Sequence, residues 1–109
     1  MTDSRQLHQD AARLRQTATT KRQDASNALV RSEDYMKNGF LDRAAQESDR
    51  ANRDYRESEE LERTAMECDH RASAMEAQAF AVERRENELR VASQLQIDRM
   101  ESQKKSLRG

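Results

Sequence analysis

Small and apolar residues recur along this chain at alternating steps of three and four, the period of one helix face. The first run is Ser4, Leu7, Ala11, Leu14, Ala18, Lys21, Ala25, Ala28, Ser32 and Tyr35. The second is Ala51, Asp54, Ser58, Leu61, Ala65, Cys68, Ala72 and Met75, continuing through Ala79, Val82, Glu86 and Leu89. Between the runs stands Asn38-Gly39-Phe40, the one internal glycine in a chain without proline. Gly39 suits the left-handed residue that ends a helix, and Phe40 the apolar contact that accompanies it. Asp42 then falls in the first turn of the next helix, where a negative charge is favourable. Asp3 with Gln6 reads as the cap of the first helix. The pattern predicts a single helical domain over 1–109, with a first helix at about 4–37, a turn at 38–40 and a second helix at about 41–106.

The two runs match as an antiparallel coiled-coil hairpin. A tight turn at Gly39 and Phe40 pairs residues whose numbers sum to 79. Leu7 then faces Ala72, Ala11 faces Cys68, Leu14 faces Ala65 and Ala18 faces Leu61. Ala28 faces Ala51, and Tyr35 faces Ala44. Large meets small at most layers, so the helices can approach near the short end of the ~8–10 Å range. Met75 closes this expected core. Lys21 falls in the seam opposite Ser58, and its stem lets the charge reach out to Glu57 or Glu62.

The second helix is too long for the first to cover. At ~1.5 Å per residue the first spans roughly 50 Å and the second roughly 100 Å. Residues beyond about 76 lack a partner, yet they include Phe80, Val82, Leu89, Val91, Leu95, Ile97 and Met100. These occupy two sides. Val82, Leu89 and Met100 lie on one, and Phe80, Val91 and Leu95 on another. Two solutions follow. A kink near Asp69-His70-Arg71 gives a three-helix bundle, or the surplus helix packs on another molecule.

Composition narrows the class further. Charged residues make up 38% of the chain and nearly cancel, 20 basic against 21 acidic, for a net charge of −1. Disorder through charge repulsion needs a large net charge. Opposite charges recur four apart, as in the ladder Glu59, Arg63, Glu67 and Arg71, which supports long solvated helices. Leu, Ile, Val and Phe number only 14, enough for a narrow stripe and too few for a broad core. Residues 1–40 carry a net +2 and residues 41–75 a net −4, so the paired helices are electrostatically complementary.

Candidate chemistry is sparse. Glu67 and His70 have the Glu-x-x-His spacing that ferritin-like di-iron bundles use, with further carboxylates from other helices. They are the metal candidates, with Glu33 or Glu47 as an added ligand in a dimer. Both fall outside the stripe, and Glu67 is flanked by Arg63 and Arg71, so a solvated face is the expectation. Cys68 reads as a small packing residue, and no positioned base accompanies it. His8 reads as exposed. No catalytic residue and no cofactor are expected. Arginines alternate with acids and aromatics are few, which argues against nucleic-acid binding. No basic face opposes large apolar residues, as a membrane-surface helix requires.

Residues 28–55 resemble one unit of a tetratricopeptide-type or MIT-type helical hairpin through Tyr35, Gly39, Ala44 and Ala51. Ser32 replaces the first small glycine of that pattern, Ala28 replaces its aromatic start, and no second repeat follows. In size and layout the chain also resembles small secreted helical hairpins that carry a Trp-x-Gly turn, with Asn38-Gly39-Phe40 in that place. The hairpin is what both resemblances imply. The function expected is non-enzymatic: a coiled-coil scaffold or adaptor that assembles through its C-terminal helix. Its interface would be Phe80, Val82, Leu89, Val91, Leu95, Ile97 and Met100. The partner is expected to be protein, either the chain itself as a dimer or tetramer, or another helical protein. The alternatives are a small chaperone that shields a helix of a secreted or filament-forming client, and a metal-binding dimer at Glu67 and His70. With no apolar leader or spanning segment, a cytoplasmic location is expected.

Overall fold

The computed structural model describes residues 3–108. Two helices account for nearly all of them, α1 over Ser4–Lys37 and α2 over Leu41–Arg108, and no strand occurs among the described residues. Good helix formers fill both segments, and neither contains glycine or proline. α2 runs unbroken through Asp69-His70-Arg71. The three-helix alternative therefore gives way to an antiparallel helical hairpin, because nothing after Gly39 interrupts the backbone ladder.

The helix ends explain themselves. The Asp3 carboxylate accepts from the Gln6 backbone N–H at 2.8 Å, satisfying one of the donors left over at a helix start. At the other end Gly39 takes φ +79°, a value open to glycine and costly for side-chain-bearing residues. The Phe40 N–H returns to the Tyr35 carbonyl at 2.8 Å, and the Gly39 N–H to the Met36 carbonyl at 3.1 Å. This is the six-to-one and five-to-two pattern of a Schellman cap. Its apolar clasp is the edge-on pair of Tyr35 and Phe40, with ring centres 6.4 Å apart. The Arg43 guanidinium lies over both rings, 5.9 Å from Tyr35 and 5.6 Å from Phe40. The Phe40 carbonyl then accepts from the Ala44 N–H at 3.0 Å, and α2 begins.

The chain divides into two units, Met1–Ser73 and Ala74–Gly109. In the first, the buried apolar residues are Leu7, Ala11, Ala18, Ala25, Ala28, Ala44, Ala51, Ala65 and Ala72. Eight of the nine are alanine, which is how a chain so poor in large aliphatics closes a seam: small side chains let two backbones come together. Leu14, Leu61, Cys68 and Tyr35 are half-buried along its edges. Ala25, Ala28 and Ala51 form the centre, and Tyr55 packs against them. Two serines are buried within the seam and both are satisfied. Ser32 Oγ donates to the Ala44 carbonyl at 2.7 Å, bridging the helices near the turn, and Ser58 Oγ donates to the Tyr55 carbonyl at 2.7 Å.

Met75 departs from the expected core. It is 39% exposed and falls in the second unit. The three-four period continues from Ala72 to Met75, but the buried positions of α2 end at Ala72. The second unit is helical from Ala74 to Arg108, and every one of its residues from Ala74 to Leu107 is exposed.

Candidate interaction surface

Charges stitch the outer edges of the hairpin. Lys21 Nζ lies 2.8 Å from Glu57, Arg31 lies 3.1 Å from Glu47, and Arg22 pairs with Glu62. Near the open end Asp69 holds two partners from α1. His8 Nδ1 donates to Asp69 Oδ1 at 2.9 Å, and Arg15 pairs with the second carboxylate oxygen. The hydrogen bond from His8, then that from Arg15, hold the Asp69 carboxyl below its ordinary value. The bond from Lys21 does the same for Glu57, and the Glu57 carboxylate raises Lys21 in turn. Most of these groups are exposed, Lys21, Glu47 and Asp69 being half-buried, so the pairs select register more than they add stability.

The Lys21 contact follows from its seam position, whereas the role of His8 does not. His8 is exposed, as its sequence position suggests, and its ring also meets Asp69, one residue from Cys68. The register sum is the signal that finds the pair, since His8 and Asp69 come within two residues of it. Arg15 and Arg22 reach further, through long side chains that no Cα register predicts. Tyr55 was also outside the expected stripe, which placed Asp54 there; both are half-buried.

Glu67 and His70 are exposed, and Cys68 is a half-buried free thiol. No cluster of three or more His, Cys, Asp or Glu side chains suited to a metal ion occurs among the described residues. Glu47, one proposed additional ligand, is occupied by Arg31.

The second unit carries the apolar surface. Phe80 is 67% exposed, Val82 53%, Leu89 64% and Met100 57%. Val91, Leu95 and Ile97 are exposed as well. They fall on two sides of the helix. Phe80, Val91, Ala92 and Leu95 floor one shallow groove, edged by Glu83, Arg84, Asn87 and Glu88. Met75, Ala79 and Val82 floor another, edged by Gln78, Glu83 and Glu86. Arg84 and Glu88 bridge one turn at 3.4 Å. Neither groove is an enclosed cavity. Both are strips along one helix. No helix among the described residues is long and apolar enough to cross a membrane.

Fold and surface together define an all-α helical hairpin whose chain also carries an exposed, two-sided apolar helix. Compared with protein-family models, curated proteins and solved structures, the chain matches none of them.

Proposed function

We propose that the protein is a non-enzymatic, cytoplasmic coiled-coil interaction module that assembles with helical protein partners through residues 75–107. One observation carries this reading. Large apolar side chains recur over more than eight turns of the second unit, and every one of them is exposed. Exposed apolar patches of this extent are typical of docking surfaces, and a helix with an uncovered apolar stripe gains its stability from packing rather than propensity. The hairpin supplies a folded support whose own seam is already closed.

Leu89 is the residue on which the reading is tested. It sits near the middle of the stripe that also contains Val82 and Met100. Light scattering on the wild type and on Leu89→Asp compares native mass, and circular dichroism follows helix content. The expected result is loss of assembly with the 4–73 hairpin still helical. Assembly that survives the substitution unchanged places the interface elsewhere and removes the proposal.

A further inference from the structure

We infer that the partner covering the Val82–Leu89–Met100 side is a second copy of this chain, running antiparallel, with Leu89 opposite Met100 and Val82 opposite Leu107. This rests on the reading of residues 75–107 as an interface and adds the identity and direction of the occupant.

Steps of three and four from Val82 give Glu86, Leu89, Ser93, Gln96, Met100, Gln103 and Leu107. The large apolar members are all uncovered, Leu107 most of all at 88%. The polar members are interspersed among them, and a partner has to accommodate both kinds. In an antiparallel pair an a layer of one helix meets a d layer of the other. Setting Leu89 against Met100 sets Val82 against Leu107, Glu86 against Gln103 and Ser93 against Gln96. Apolar meets apolar and polar meets polar at every layer, and two-fold symmetry repeats each match.

Charge selects the same direction. Residues 74–88 carry four acids and two bases, a net −2, whereas residues 89–107 carry four bases and two acids, a net +2. In this antiparallel register residues 82–88, net −1, lie beside residues 101–107, net +1, while residues 89–100 face the same segment of the other copy. At the flanking positions Glu83 comes beside Lys104, and no like-charged pair is created. A parallel, in-register pair does the opposite. It stacks Glu86 on Glu86 within the seam, where unpaired like charges are costly. It also sets Arg85 beside Arg90 and Arg99 beside Lys104. The same helix therefore favours its own copy in one direction and disfavours it in the other, which is the behaviour expected of complementary flanking charges.

The test uses the full chain in a Cys68→Ser background. Leu89→Cys and Met100→Cys are made in separate chains, and native mass is read across a concentration series. The expected result is a mass that doubles from the 12.7 kDa of one chain as concentration rises, with cross-linking under mild oxidation only when the two variants are mixed. Cross-linking of Leu89→Cys with itself means a parallel pair, which overturns the inference and leaves the C-terminal helix as the interface. A dimer that no thiol combination links and that Leu89→Asp preserves overturns both. A wild-type chain that stays at single-chain mass throughout overturns the second-copy inference alone, since a different helical protein still fits the surface.

Discussion

Gly39 and Asp69 show how much of this hairpin depends on individual side chains. Gly39 holds φ +79° with nothing within 4 Å of where a Cβ would stand. Gly39→Ala therefore meets no steric obstacle and incurs only the backbone cost of the left-handed region, about 1–2 kcal/mol. Urea unfolding should show the midpoint falling with an unchanged slope. A changed slope would mean the turn had been rebuilt. Asp69 reports on pH. Its carboxyl is held below the ordinary value by His8 and Arg15, as that of Glu57 is by Lys21. A depressed carboxyl contributes stability that is complete above its unfolded value and disappears as pH falls through the folded one. The hairpin should thus lose melting temperature below about pH 4. Asp69→Asn should show a smaller acid loss than the wild type, and added salt should narrow the difference. An identical acid profile in the variant would show that the contacts of Asp69 contribute nothing.

At the scale of elements, the alanine seam decides what α1 and α2 can tolerate. Ala28 and Ala51 are fully buried in the central cluster, so a larger side chain has to push the helices apart. Ala28→Leu should destabilise the hairpin by about 1–3 kcal/mol through overpacking, measured by thermal or urea unfolding. Leu14→Ala, at a half-buried edge, should cost less than the 2–5 kcal/mol of a fully buried leucine. If Ala28→Leu proves neutral, the seam is looser than an alanine-on-alanine contact. The helix boundaries and the hairpin were legible because their signals are local: a 3–4 period, one internal glycine and a capping aspartate. Met75 departs from the expected core because the three-four period of α2 continues past Ala72 into a stretch whose residues are all exposed. His8 meeting Asp69 lies within two residues of the register and was legible in it, whereas Arg15 reaches Asp69 through a long side chain that spans several residues of register, which periodicity does not encode.

For the whole molecule, the first unit closes its own seam and the second closes none. That contrast is why the proposed function belongs to residues 75–107, although the charge density of the chain makes the whole of it look like a solvated helix. Of the candidate surface, the two sides were legible from spacing alone: Val82, Leu89 and Met100 on one, Phe80, Val91 and Leu95 on the other. Which of them a partner covers is not written in the period. The proposed antiparallel second copy is argued from layer matching and flanking charge on the Val82 side. The most direct measurement is native mass by light scattering on the wild type and Leu89→Asp over one concentration series. The expected result is a wild-type mass rising above that of one chain and a Leu89→Asp variant that stays at one chain with a folded hairpin. Equal masses above that of one chain for both proteins would contradict it.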